Sequence, residues 1–338
     1  MTGFAETDLR QTRVAPAGDA AIADAARRLA AGGLVAFPTE TVYGLGADAT
    51  KGEAVARLYA AKGRPRFNPL IAHVVDLEAA RRLAEFHPDA LRLAQAFWPG
   101  PLTLVLPKAP GCVVAELATA GLDSIAVRVP DHPVAQKILA ALGRPVVAPS
   151  ANRSGHVSPT AAAHVLADLN GRIDLIVDGG ATVVGVESSI VACLGGQRGQ
   201  PMLLRPGGVP RQAIEHVLGG SLNDAAAASA DAGEMPLAPG MLASHYAPRT
   251  PLRLDAGRVE AGEALLAFGP NLPEGAGRAV KISNLSARGD LVEAAANLFS
   301  HLRALDAAGA AAIAAMPVPH DGLGEAINDR LKRAAAPR

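Results

Sequence analysis

Three cations stand on alternate residues in KGRPRF, Lys62, Arg64 and Arg66, just ahead of the apolar run NPLIAHV. Clustered cations on a loop can hold an oxygen-rich anion such as a phosphate chain. The chain carries 32 basic against 32 acidic side chains, so it lacks the general positive field that non-specific nucleic-acid binding requires, and the cluster reads as a local site for a small anion. Further polar groups gather at the ends of other apolar runs. PTETVYGLGAD brings Thr39, Thr41 and Tyr43 with a flexible glycine turn, and PSANRSGHVSPT brings Ser150, Asn152, Ser154 and Ser158. GVESS and LLRPGG add Glu187, Ser188, Ser189 and Arg205. In SIAVRVP a guanidinium, Arg128, lies inside a β-branched run, a costly place for a charge unless it faces a ligand or a partner.

The chemistry these groups suit is positioning and charge neutralisation rather than covalent attack. There is no G-x-S-x-G elbow, no H-E-x-x-H and no cysteine close to a histidine. Cys112 and Cys193 are far apart with no C-x-x-C, which excludes a disulfide framework and a thiolate zinc site and suits a reducing cytoplasm. Lysine never follows glycine, so a Walker A loop is absent. GLGADA matches a dinucleotide fingerprint, with Asp76 as its acid, but PTETVY separates it from the strand-like LVAF and Asp76 comes later than the ~20 residues expected. An NAD-dependent oxidoreductase using Gly44 and Gly46 is one alternative. A non-catalytic RNA-binding module is another, opposed by an aromatic content of 3%. Each cluster also has an ordinary structural reading: Arg128 paired with a carboxylate, PSAN as a capped turn, His73 as a core histidine. Together these readings leave polar clusters at several different strand ends unexplained.

The elements that position these residues follow from the pattern. A chain of 338 residues, 49% hydrophobic, predicts a globular protein of two domains. No apolar run approaches the ~20 residues of a membrane span, so an integral membrane protein is not expected. Asp19 can cap a helix running through Ala31, ended by Gly32-Gly33 and followed by LVAF as a strand. PLIAHVV, PLTLVLP, SIAVRVP, PVVAPS, IDLIVDGG, SSIVACL and PMLLRPG are further strands, separated by helices only in part, which predicts an α/β fold with a mixed sheet. SLNDAAAASADAGEMPLAPG reads as a linker. From Thr250 onward ALLAFG, AVKIS, GDLVEAAANLFSHLRALDAAG, AAAIAAMPV and LGEAINDRLKRAA alternate strand and helix, predicting a small, mostly parallel α/β domain.

With PTETVYGLGAD, KGRPRFNPL, WPGPLTLVL, AVRVP, PSANRSG, the ESS of VGVESSIV, LLRPGG and PGMLASHYAP in this order, the chain resembles, over essentially its whole length, the threonylcarbamoyl-AMP synthase family, the YrdC-like enzymes in their long form. The resemblance implies a YrdC-like catalytic domain with a twisted mixed sheet over residues 1–215, a linker with a nucleotide-covering segment over 216–249, and a smaller Rossmann-like α/β domain over 250–338. It implies a reaction of L-threonine, bicarbonate or CO2, and ATP that gives threonylcarbamoyl-AMP and pyrophosphate, with the product passed to a tRNA-modifying transferase complex in the cytoplasm; direct tRNA binding is left open. By the same resemblance Thr41, His73, Arg128, Ala148 and Ser188 contact threonine, with Arg128 forking the carboxylate. Arg64, Asn68, Ser124, Ser150, Ser158, Arg205 and Tyr246 contact the nucleotide, with Lys62 and Asn152 near the phosphates. Lys62 and Arg64 are the expected catalytic pair, and Arg66 is left to solvent. Magnesium is expected on the ATP phosphates, although no carboxylate identifies itself as its ligand.

Overall fold

The strands of the first unit read as unbroken apolar runs because both faces of their sheet are covered. In the computed structural model, which describes residues 11–195, 200–224 and 245–337, successive residues of one strand serve two cores. Leu34 and Ala36 pack on one side, Val35 and Phe37 on the other.

In chain order the first unit comprises β1 (Arg13–Pro16), α1 (Asp19–Ala30), β2 (Val35–Pro38), β3 (Tyr43–Asp48), α2 (Gly52–Lys62), β4 (Ile71–His73), α3 (Leu77–Arg81), α4 (Pro88–Phe97) and β5 (Leu102–Pro107). It continues with β6 (Ser124–Arg128), α5 (Pro133–Leu142), β7 (Val146–Val147), α6 (Ala162–Leu169), β8 (Leu175–Asp178), β9 (Ser189–Ala192), β10 (Met202–Arg205), α7 (Arg211–Leu218) and β11 (Asn223–Asp224). Its strands form one sheet in the order β1-β8-β2-β3-β7-β4-β6-β5-β9-β10-β11. The sheet is mixed, as expected: β4 runs parallel to β6 and antiparallel to β7. Of the linker expected over 216–249, the end of α7 and β11 belong to this unit up to Asp224, and residues 225–244, with Pro239 and Gly240, lie outside the described residues.

The second unit comprises β12 (Leu252–Arg253), β13 (Glu263–Ala267), β14 (Ile282–Asn284), α8 (Leu291–Asp306), β15 (Ala312–Ala315) and α9 (Gly324–Ala335). Its strands lie in the order β12-β15-β13-β14 and every pairing is parallel. Asp290 caps α8 by accepting from Val292 N at 2.8 Å and Glu293 N at 3.0 Å. The apolar core of this unit does not close on itself. Leu298, Phe299 and Leu302 of α8 pack in one cluster with Val42, Val157 and Val186 of the first unit. At Gly185, with φ +76, a Cβ would stand 2.3 Å from the carbonyl oxygen of Ala295, so glycine is what lets this loop meet α8. Among the described residues no helix is long and apolar enough to cross a membrane.

Two local expectations are corrected. Asp19 is the first residue of α1 rather than its cap; the cap position is Gly18, with extended backbone and no side-chain bond. GLGAD is not a turn but all of β3 after Tyr43, paired antiparallel with β2 as far as Gly46 and with β7 beyond it. Gly46 lies under Phe37, whose Cε1 would be 2.6 Å from a Cβ there, so these glycines make room for packing. That removes the dinucleotide fingerprint, which needs a turn leading from a strand into a helix.

Candidate active site

Parallel pairing of β4 and β6 places His73 directly opposite Arg128, both at the carboxyl ends of their strands. Ala148 follows β7, Thr41 lies in the β2–β3 turn and Ser188 precedes β9, so strands distant in sequence bring all five residues to the wall of one cleft. Arg128 is buried and heavily engaged. Its Nη2 donates to Glu40 Oε1 at 2.6 Å and to Thr41 Oγ1 at 2.9 Å, and its Nε to the Gly100 carbonyl at 3.3 Å. This leaves Nη1 as the arm with no protein partner among the described residues. A full bidentate fork is therefore not open here, because Glu40 and Thr41 occupy the second arm. Burial, reinforced by the Arg128 charge, lowers the His73 pKa to about 3, so the ring is neutral; its Nδ1 lies 3.2 Å from the Ile71 carbonyl. Ser188 Oγ shares a 2.8 Å bond with Thr103 Oγ1.

Arg64, Ser150 and Arg205 form the cationic side of the same cleft. Arg205, at the end of β10, donates from Nη2 to the Ser188 carbonyl at 2.9 Å, and Arg64 donates to the Pro69 carbonyl at 3.1 Å. Both guanidiniums are buried, and neither has a carboxylate partner among the described residues. Burial lowers the pKa of Arg64 to about 10 and shifts Arg205 downward as well, because desolvation penalises the charged form. Arg66 is exposed.

Lys62, Asn68, Ser124, Asn152 and Ser158, also expected from the sequence, are not among the residues that line this cleft. Lys62 Nζ donates to the Ser150 and Asn152 carbonyls, each at 2.5 Å, and so ties the serine-rich loop to the end of α2. Burial pushes its ammonium well below the ordinary lysine range. Ser158 donates to Glu187 Oε1 at 2.5 Å. Asn68 and Asn152 are buried with their Oδ1 atoms unpartnered among the described residues. Ser124 lies at the opposite end of β6 from Arg128.

Tyr246 and His245 close the cleft from the segment that enters the second unit. Tyr246 has φ +63 and stacks on Phe299 of α8 with ring centroids 5.6 Å apart. His245 meets it edge-on at 4.1 Å, and its Nδ1 has no partner among the described residues. Burial holds His245 neutral, with a pKa of about 3. Glu187 also lines the cleft. Burial would raise its pKa, but Arg330, Arg205 and the Ser158 hydroxyl outweigh that and bring it to about 2. Glu40 and Arg330 were not singled out from the sequence, and His245 was marked there only as part of PGMLASHYAP. Glu40 lies between two threonines already marked as polar, and His245 adjoins Tyr246; those were the available signals. Among the described residues no group of three or more His, Cys, Asp or Glu is placed to hold a metal.

Comparison with known proteins identifies the family. The family model described as telomere recombination, which groups the Sua5, YciO and YrdC proteins, matches residues 27–207, and that of the threonylcarbamoyl-AMP synthase C-terminal domain matches 209–336. The chain is 42% identical over 332 residues to the threonylcarbamoyl-AMP synthase of Bacillus subtilis, covering 95% of this chain and 94% of that protein. It is 43% identical over 317 residues to the Pyrococcus abyssi synthase, covering 91% and 92%. A crystal structure of P. abyssi Sua5 complexed with L-threonine superposes with a TM-score of 0.86 at 39% identity, over 96% of this chain and 98% of that one. These likenesses extend across both units, and the chain belongs to the threonylcarbamoyl-AMP synthase family.

Proposed function

We propose that this protein makes threonylcarbamoyl-AMP and pyrophosphate from L-threonine, bicarbonate or CO2, and ATP. The observation that carries the reading is a single cleft in which two buried arginines with no carboxylate partner among the described residues, Arg64 and Arg205, stand beside a second polar set around Arg128 and neutral His73. The first set suits a polyphosphate, the second a zwitterionic amino acid. The threonine amine bonds to the carbon of CO2 and releases a proton; starting from bicarbonate, a water molecule is lost instead. A carbamate oxygen then attacks the α-phosphorus, and the bond to the bridging oxygen breaks to release pyrophosphate. The carbamate is its own nucleophile, so no activated serine or cysteine is needed. Alignment and neutralisation of charge suffice.

In this reading the free Nη1 of Arg128 takes the threonine carboxylate, Thr41, Ser188 and the backbone of Ala148 frame its side chain and amine, and neutral His73 bounds that pocket. Arg64, Arg205 and Ser150 meet the phosphates. Lys62 and Asn152 fix the loop carrying Ser150, while Asn68, Ser124, Ser158 and Tyr246 complete the nucleotide side. Magnesium bound with ATP would neutralise phosphate charge beside Arg64 and Arg205. The product goes to a tRNA-modifying transferase complex in the cytoplasm. The test is pyrophosphate release, which should require ATP, threonine and bicarbonate together. Serine, one methyl smaller, should be a poorer substrate by ~1–3 kcal/mol. Release that persists without threonine overturns the proposal.

A further inference from the structure

Arg330 is contributed by α9 of the second unit, and its side chain is wholly buried. Its Nε donates to Glu187 Oε2 at 2.8 Å and its Nη1 to Asp329 Oδ2 at 2.6 Å, while its guanidinium carbon lies 5.1 Å from the centroid of the Tyr246 ring. Nη2 has no partner among the described residues. Glu187 and Tyr246 both line the cleft, and they reach it from different directions, one from the loop before β9 and the other from the segment entering the second unit. The second oxygen of Glu187 accepts from Ser158, so one guanidinium orders a carboxylate, a hydroxyl and an aromatic ring.

A buried cation is an expensive way to attach a helix, since apolar side chains of similar volume commonly pack as well or better. Other pairs already tie α9 to the first unit: Arg211 Nη2 lies 2.7 Å from Glu325 Oε1. The particular use of Arg330 is its geometry, a planar fork that donates Nε to Glu187 and Nη1 to Asp329 while presenting its charge to the Tyr246 ring. We propose that Arg330 is a positioning residue of the synthase, through which the second domain sets the nucleotide side of the cleft by holding Glu187, Ser158 and Tyr246 in place. The proposal rests on the reaction assigned above and gives the second domain a part in it.

The test uses the full chain and three variants: Arg330→Met, Arg330→Lys and Arg211→Met. Arg330→Met should raise the KM for ATP about tenfold or more, equivalent to ~1.4 kcal/mol, and leave the KM for threonine within about twofold. Arg330→Lys, which keeps a charge for Glu187 but not the fork, should recover part of the loss. Arg211→Met, which cuts a different contact between the units, should leave both constants unchanged. An unaltered KM for ATP in Arg330→Met overturns the proposal, as do equal rises for both substrates or the same defect in Arg211→Met. If Arg330→Met does not fold, Arg330→Lys carries the test by the same split between substrates. Calorimetry with a non-hydrolysable ATP analogue separates this inference from the reaction: wild-type protein that releases no threonine-dependent pyrophosphate removes the assigned activity, whereas undiminished analogue affinity in the Arg330 variants removes the clamp.

Discussion

Glu40 Oε1 lies 2.6 Å from Arg128 Nη2, and both side chains are almost wholly buried. The pair converts an isolated buried charge into an oriented donor with one arm committed to the protein and one left over. Lysine has a compact ammonium on a different stem and lacks the planar fork whose separate arms can reach Glu40 and a ligand at fixed geometry. Arg128→Lys should therefore raise the KM for threonine about tenfold or more while leaving that for ATP nearly unchanged, as steady-state pyrophosphate release would show. A defect confined to ATP would mean that the two halves of the cleft are assigned the wrong way round.

The alternating cations should prove unequal. Arg64 is buried at the cleft wall, so Arg64→Ala should lower turnover by ~10²–10³, the usual loss when one pre-aimed donor is removed. Arg66 is exposed, and Arg66→Ala should change little. Lys62→Ala should lose stability as well as turnover, because the Ser150 and Asn152 carbonyls lose their shared donor. Equal kinetic defects at positions 64 and 66 would indicate a diffuse basic surface instead of a site.

Acid should destabilise the protein well before its carboxylates titrate. The pKa values of His73 and His245 fall to about 3 on folding, from the ordinary 6.5. Between these limits the unfolded chain binds the extra protons, so stability is complete above pH 6.5 and is lost as pH falls towards 3. Each ring contributes a slope of up to ~1.4 kcal/mol per pH unit. Glu187, at about 2 when folded against 4.5, adds a loss below pH 4.5. Denaturant unfolding at pH 7, 6 and 5 should show the decline, and His73→Gln should flatten it; equal slopes in the variant and the wild type would count against a buried neutral ring.

Tyr246 should matter twice. Its ring faces the cleft and also stacks on Phe299, so Tyr246→Ala should weaken ATP binding by ~1–3 kcal/mol and cost ~3–5 kcal/mol of stability. Calorimetric ATP affinity and chemical denaturation measure the two losses independently. Wild-type ATP affinity in a destabilised variant would confine the ring to a packing role.

The apolar strands were legible from sequence because both faces of the sheet are covered, so PLTLVLP or IDLIVDGG has little polar interruption to obscure it. The second domain was legible for a similar reason, its strands and helices alternating cleanly. GLGAD was misread because glycine normally signals a turn, whereas here Gly46 makes room for Phe37 across the hairpin. The pairs that organise the cleft leave no local trace. Glu40 and Arg128 are 88 residues apart and Glu187 and Arg330 are 143 apart, distances over which spacing carries no information. The reading that one arginine would pair with a carboxylate was correct for Arg128, and the same residue still lines the cleft.

The shared apolar cluster around Val42, Val157 and Val186 has a practical consequence for anyone wishing to isolate the catalytic half. Cutting the chain after Asp224 would strip those valines of Leu298, Phe299 and Leu302 and lay bare a greasy face beside the cleft. Such a fragment should self-associate, measurable as concentration-dependent light scattering, and soluble fragment would be recovered only after those valines were exchanged for polar residues. The loop at Gly185, formed to fit against α8, would at the same time lose the surface that gives it shape. The two halves are therefore a poor choice for recombination with unrelated modules: their boundary runs through a common interior.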